Sequence, residues 1–417
     1  MSKVLRKIID GRVFGIGKNI AGIFKKAVII PAATFYGRIL FVLGSLFYNS
    51  PERSLEIIGI TGSSGKSTTL KMALKIFEDQ SIPVAGLNSS KIEVILKDGS
   101  WTRDLGGKPV GQLALQKFLR KAANLGIRYV MIELSPKDIV KNRFAGLMFK
   151  CAVLTNINRS HAVNERSFTG DLKAHVKFFR KCAGTHIINL DDHYYSDFMN
   201  IPCGKRITYG MTGGMVNQES LNLKLNLAGD FNIHNALAAV AIANACGIDE
   251  EKAASSAANI KTIPGRMEFL DYGQSFKIVI DYARTPDSLE AAYRALKSYG
   301  RKMIGVIGAS GGKERWKRPV LGCIANAYCD EIILTSEDPR GEDPLLIIED
   351  IKAGIPRDNV HLVADRGDAI KKAILMAKRG DIVVITGKGD ETKMAVSGLR
   401  TIPWSDKETA AKLLIES

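Results

Sequence analysis

The chain has 417 residues, 46% hydrophobic and 24% charged. With no low-complexity run and no repeat of fixed period, this excludes a disordered or fibrous protein and predicts two or three folded domains. Lysine plus arginine number 59 against 43 aspartates and glutamates, a formal charge of +16 that suits an anionic membrane surface or a multiply charged acidic substrate; without finger spacing or an aromatic-basic ribonucleoprotein motif, no nucleic-acid partner is expected.

The first 26 residues carry Lys3, Arg6, Lys7, Arg12, Lys18, Lys25 and Lys26 against one acid, Asp10, and lead into an apolar stretch from Val28 to Tyr48 broken only by Pro31 and Arg38. Its length permits a membrane span. A basic leader on the cytoplasmic side would then put everything after Tyr48 outside the cell.

Next comes a short apolar run, Leu55 to Ile60, then Thr61-Gly62-Ser63-Ser64-Gly65-Lys66-Ser67-Thr68-Thr69 and a helical pattern through Phe77. Strand, glycine-rich loop and helix in this order make a phosphate cradle: backbone N–H groups and the helix N-terminus face phosphate oxygens, Lys66 reaches the β and γ phosphates, and the Ser67 hydroxyl binds magnesium. The strict Walker spacing fails, since Ile60 stands where its first glycine belongs. ATP and Mg²⁺ are therefore the expected cofactors, with Thr61, Gly62, Gly65, Lys66, Ser67 and Thr68 as nucleotide contacts. ATP is not available outside the cell, so the apolar stretch is expected to lie on the inner leaflet with Arg38 snorkelling, or to pack on the catalytic domain. Peripheral membrane contact is assigned to residues 1–50 and the chain to the cytoplasm. The six cysteines form no C-x-x-C pair, which fits reduced thiols and argues against zinc.

Two further apolar runs end in polar residues. Glu133 closes Val130 to Leu134, and Ala152 to Thr155 leads into Asn156-Ile157-Asn158-Arg159-Ser160-His161. A carboxylate at the C-terminal edge of a parallel strand is placed for magnesium.

The loop T-G-x-x-G-K-S-T-T resembles that of the Mur ligase and folylpolyglutamate synthetase superfamily. The resemblance implies that His161 joins Ser67 and Glu133 around the metal. It also implies that Lys177, in Gly170 to Phe179, is a carbamylated lysine ligating a second magnesium; an exposed helix lysine is the simpler alternative. Gly229 to Ala239 resembles the family's F-N-x-x-N-A-L-A-A helix start, in which Asn235 would contact adenine, while Asn232 would be a contact or a plain N-cap.

From Pro264 the resemblance narrows to the branch that adds the third residue of the peptidoglycan stem peptide. Gly265-Arg266-Met267-Glu268, Asp281 to Asp287, Gly308 to Pro319, Thr335 to Pro344 and Gly387 to Glu391 follow its landmarks in order. By that resemblance Arg266 reaches the γ-phosphate, Asp281 binds the ribose, and Asp338, Arg340, Gly387 and Glu391 line the amino-acid site. Arg340 would grip the distal carboxylate of meso-diaminopimelate, or else pair only with Glu342 or Asp343. Lys66, Lys177, Arg266 and His161 are the expected catalytic residues.

The resulting expectation is an α/β protein: a basic, apolar helical segment over 1–54, a P-loop ATPase domain with a mostly parallel sheet over 55–263, and a Rossmann-like α/β domain over 264–417. Its activity would be ATP-dependent amide-bond formation through an acyl phosphate, adding a diamino acid to a nucleotide-sugar-linked or lipid-linked muramoyl peptide. An alternative is an ATPase subunit of the same type that activates a lipid-linked cell-wall precursor for a partner enzyme. The family's N-terminal UDP-binding domain has no counterpart in residues 1–54. Arg284 and Asp390 replace two family histidines, Glu337-Asp338 replaces Asp-Asn, Ser160 replaces an aspartate and Pro136-Lys137 replaces Ser-His.

Overall fold

Aliphatic runs without polar alternation predict strands covered on both faces, and in the computed structural model β1 (Glu56–Thr61) is buried at every position after its first. The structure describes residues 40–89, 91–105, 110–159, 165–312, 314–397 and 400–416. Most of the basic and apolar leader, and the loop holding His161, lie outside these.

The first sheet contains β1, β2 (Val84–Leu87), β3 (Lys91–Leu96), β4 (Gly99–Asp104), β5 (Tyr129–Leu134), β6 (Phe149–Leu154), β7 (Thr185–Asn189), β8 (Lys205–Gly210) and β9 (Val216–Asn217), in the order β4-β3-β2-β5-β1-β6-β7-β8-β9. It is parallel from β2 to β9, and the β3–β4 hairpin adds antiparallel to the β2 edge. One face packs Leu70, Leu74 and Phe77 of the helix Lys66–Asp79 against the helix Phe231–Ala245. That second helix is buried almost all round, which its run of alanines and aliphatic residues permits. The other face carries Leu119, Phe178, Phe179 and Phe198.

The second sheet has the order β10-β11-β15-β12-β13-β14, from β10 (Glu268–Leu270), β11 (Lys277–Asp281), β12 (Met303–Ile307), β13 (Glu331–Leu334), β14 (Val360–Leu362) and β15 (Ile382–Thr386). All but β10 run parallel. A small hairpin, β16 (Lys393–Ser397) with β17 (Arg400–Pro403), follows.

Residues 40–47 form a helix with two different faces. Phe41 enters the core of the first domain and the Ser45 hydroxyl donates to Glu52 at 2.6 Å. The opposite face presents Val42, Leu43, Leu46 and Phe47 to solvent. No helix among the described residues is long and apolar enough to cross a membrane.

One fully buried ion pair closes the second domain. Arg366 donates from Nε and Nη2 to the two carboxylate oxygens of Asp406, both at 2.7 Å, and also to the carbonyls of Ser336 and Thr386. Removing one partner strands a charge away from water, so Asp406→Asn should destabilise this domain by about 3 kcal/mol. Urea unfolding followed by the fluorescence of Trp404, whose indole N–H also donates to Asp406, would measure it; a change within about 0.5 kcal/mol, the scatter of ordinary surface substitutions, would contradict this account.

Candidate active site

Parallel pairing sets Thr61 level with Leu134 of β5 and with Leu154 of β6, so the loops after all three strands open on one edge. The glycine-rich loop is clasped from the β6 side. Asn156 accepts from the backbone N–H of Ser64 at 3.0 Å through Oδ1 and donates to its carbonyl at 3.1 Å, while its own carbonyl accepts from Ser63 N–H at 2.7 Å. Thr155 Oγ1 donates to the Ser64 carbonyl at 2.7 Å.

On the β5 side the Ser67 hydroxyl donates to Glu133 Oε2 at 2.6 Å. Two hard oxygen donors at a helix N-terminus fit Mg²⁺, which takes few protein ligands and fills its octahedron with water and substrate phosphates. Among the described residues, which leave out His161, no group of three His, Cys, Asp or Glu side chains forms a metal cage. Lys66 Nζ donates to the carbonyls of Gly62 and Ser63 at 2.8 and 3.0 Å. Burial pulls its pKa below the usual lysine value, against the opposing charges of Glu133 and Asp138.

Gly65 caps the helix with φ +78°, and a Cβ there would stand 2.2 Å from Asn235 Oδ1. Asn235, brought up by the helix Phe231–Ala245, thus lies against the loop, with Thr69 Oγ1 donating to it at 3.4 Å. Asn232 sits inside the first turn and donates to the Ala228 carbonyl at 2.7 Å, so it is not the N-cap; Asp230 holds that place. Thr68 is buried beneath the loop.

The helix Glu165–Lys181 adds a residue that the motifs did not single out. Lys177 is exposed on its outer face. Two residues are about 200° apart around a helix, and it is His175 that turns inward, buried, with Nδ1 2.9 Å from Thr61 Oγ1. The helix therefore brings a histidine to the base of the phosphate loop, while the Lys177 side chain is open to solvent.

Across the cleft the Tyr282 ring meets two guanidinium groups, Arg266 and Arg284, each 4.2 Å from its ring centre. Arg266 Nη1 donates to the Gly265 carbonyl at 3.0 Å. Arg284 Nη2 lies 2.8 Å from Glu391 and its Nε donates to the Gly387 carbonyl at 2.6 Å. Burial opposes its charge, but Tyr282, Glu337, Glu391 and Asp338 hold it firmly protonated. Asp281 is buried, and burial raises its pKa; its carboxylate accepts from the backbone N–H groups of Met267 and Ala283, both at 2.8 Å, bracing the chain around Arg266.

Asp338, Arg340, Gly387 and Glu391 do meet in one cluster. Its centre is Lys388, which donates to Asp338 at 2.9 Å and to Glu391 at 2.6 Å. Arg340 has φ +62° and a side chain 40% exposed, with Asp338 at 3.8 Å. The alternative pairings fail, because Glu342 is taken by Arg318 at 2.7 and 2.8 Å and Asp343 caps the helix Pro344–Lys352. Arg340 is therefore available to an incoming carboxylate. Tyr282, Arg284 and Lys388 went unassigned in the sequence, although all three stand inside the recognised motifs. A cavity of about 650 Å³ lined by Asn158, Arg159, His193, Tyr194, Asp287 and Arg294 opens between the domains.

Residues 60–243 match the Mur ligase middle domain and residues 265–389 the Mur ligase glutamate ligase domain. The UDP-N-acetylmuramoyl-L-alanyl-D-glutamate–2,6-diaminopimelate ligase of Fusobacterium nucleatum is 34% identical over 89% of this chain and 80% of its own. The enzyme of that name numbered 1 in Clostridium acetobutylicum is 31% identical over 91% and 82%. Among solved structures, a ligase of the same name superposes with a TM-score of 0.57 at 24% identity, covering 91% of this chain and 83% of its own. Mycobacterium tuberculosis folylpolyglutamate synthase complexed with ADP gives 0.67 at 16% identity, covering 88% and 96%; these likenesses concern the fold.

Gly65→Ala should weaken ATP binding at least about tenfold by pushing Asn235 away, a loss of ~1.4 kcal/mol, and should also lower the melting temperature, because alanine at φ +78° is strained. Isothermal titration of the full chain would detect it, and unchanged affinity would contradict the close approach. Lys177→Ala should leave turnover within about twofold of the parent, with or without added bicarbonate; a large loss restored by short carboxylates would return Lys177 to the metal site.

Proposed function

The chain belongs to the Mur ligase family of ATP-dependent amide-forming ligases, and on that premise we propose that it joins meso-diaminopimelate to the terminal carboxylate of a muramoyl dipeptide in cell-wall peptide synthesis. The observation that carries this reading is the cluster around Lys388. Its carboxylates, Asp338 and Glu391, suit an amino group, while Arg340 offers a guanidinium fork to a distal carboxylate. A subunit that only hydrolysed ATP for a partner would have no use for it.

In this proposal the acceptor carboxylate attacks the γ-phosphate of ATP, with Lys66 and Arg266 offsetting the charge that develops on the transferred group. Magnesium, held by Ser67 and Glu133, would polarise the phosphate oxygens. The diaminopimelate amine then attacks the acyl phosphate and expels phosphate, so the protein works mainly by holding the reactants in line. Asn235 is assigned to adenine, Asp281 to the ribose, and His161 to the metal side of the loop. Carbamylation of Lys177 is left out of this scheme because of its exposed position.

We further infer that the enzyme works at the inner face of a membrane. Val42, Leu43, Leu46 and Phe47 are 54 to 81% exposed on one helix face, with Leu113 and Met148 also exposed. Leu113 and Gly146 pack against this helix at Gly44 and Phe41. The preceding sequence is strongly basic, the combination that binds an anionic interface.

Phosphate release from Mg-ATP should require both a muramoyl-alanyl-glutamate acceptor, UDP-linked or lipid-linked, and diaminopimelate, with Lys66→Ala inactive. Arg340→Lys should raise the KM for diaminopimelate about tenfold or more while leaving the KM for ATP unchanged; higher kcat/KM for lysine than for diaminopimelate would refute the amino-acid assignment. On flotation with anionic vesicles the full chain should rise with the lipid, and Leu46→Asp with Phe47→Asp should leave it at the bottom. Equal behaviour of the two proteins would remove the membrane from the proposal.

A further inference from the structure

Between the two domains the chain turns at Gly265, with φ +66°. A Cβ there would stand 2.1 Å from the backbone nitrogen of Asp390, so only glycine lets the turn close on that loop. The turn is pinned on its own side: Arg266 N–H donates to the Ile263 carbonyl at 3.0 Å and Gly265 N–H to Glu268 at 2.7 Å.

Against it lies Asp390, whose carboxylate leaves its own domain. Its Oδ2 accepts from Lys71 at 2.8 Å, on the helix that follows the phosphate loop, and from Lys91 at 2.7 Å, the first residue of β3. Lys91 also donates to the Asp390 carbonyl at 3.0 Å, and Lys71 to the Pro264 carbonyl at 3.2 Å. Arg266 Nη1 is 3.7 Å from Oδ1. Thr392 reaches the same hairpin by donating to Asp104. Lys388, two residues before Asp390, and Glu391, the residue after it, belong to the amino-acid cluster.

We propose that Asp390 is a positioning residue, an ionic latch that holds the two domains closed and so sets Arg266 and the Lys388 cluster opposite the phosphate loop before substrates bind. Asp390 and Lys71 are each only 10% exposed and Lys91 15%, so salt screens the contact little. Burial works against the charged carboxyl, but Lys71 and Arg266 outweigh it and hold the group ionised far below the usual carboxylate range. Three cations surround one anion. Neutralising Asp390 would therefore leave Lys71, Lys91 and Arg266 repelling one another, and the cleft would open.

Small-angle scattering of the full chain, with calorimetry to show that each variant is folded, tests this without turnover and so independently of the substrates assigned above. The parent should keep one radius of gyration with and without ATP, whereas Asp390→Asn should be larger without ATP and contract when it is added. If only about one molecule in ten is then closed, the KM for ATP rises about tenfold, while kcat at saturation changes less than about threefold. Asp390→Lys should open the molecule further, and adding Lys71→Glu and Lys91→Glu should restore both compaction and KM. An Asp390→Asn protein with the parent's radius and KM, or a charge swap that restores neither, would overturn the proposal.

Discussion

The placement of β1 between β5 and β6 is the constraint on which the site depends. Parallel strands in register end together, so the phosphate loop after β1, Glu133 at the end of β5 and Thr155 to Asn158 after β6 face one another because their strands do. The Ser67–Glu133 contact and the Asn156 clasp follow from that register. A one-residue slip of β5 would send Glu133 to the opposite face of the sheet.

The second domain repeats the arrangement: β11, β15, β12 and β13 run parallel, and the loops after them carry Tyr282, Gly387 to Glu391 and Glu337 to Arg340. Tyr282 links its two tasks. With Arg266 and Arg284 both 4.2 Å from its ring centre, movement of the ring would disturb both arginines together. Its phenol donates to Glu391 at 3.1 Å, which ties the ring to the Lys388 cluster.

Much of this was legible in the residues. The strands Met303–Ile307 and Glu331–Leu334 end where their aliphatic runs end, and the phosphate loop announced itself by its glycines, lysine and hydroxyls. His175 went unread because motif resemblance counts positions and a helix face is set by angle. The signal was present: Phe168, Leu172, His175 and Phe178–Phe179 recur every three or four residues, the mark of an inward stripe, with His175 on it and Lys177 off it. The contacts of Asp390 could not have been read in the same way, since Lys71 and Lys91 are 319 and 299 residues distant. No local pattern encodes a pairing between domains.

The charges at the turn also give the molecule a thermal character. Hydration of ions becomes less favourable as temperature rises, so drawing Lys71, Lys91 and Asp390 out of water grows less costly on warming, while stabilisation from apolar burial levels off. The two domain interiors rest on apolar packing, whereas the ion contacts across the turn join the domains. Warming should thus loosen each domain internally before it loosens the join between them, and cooling should relax the join first.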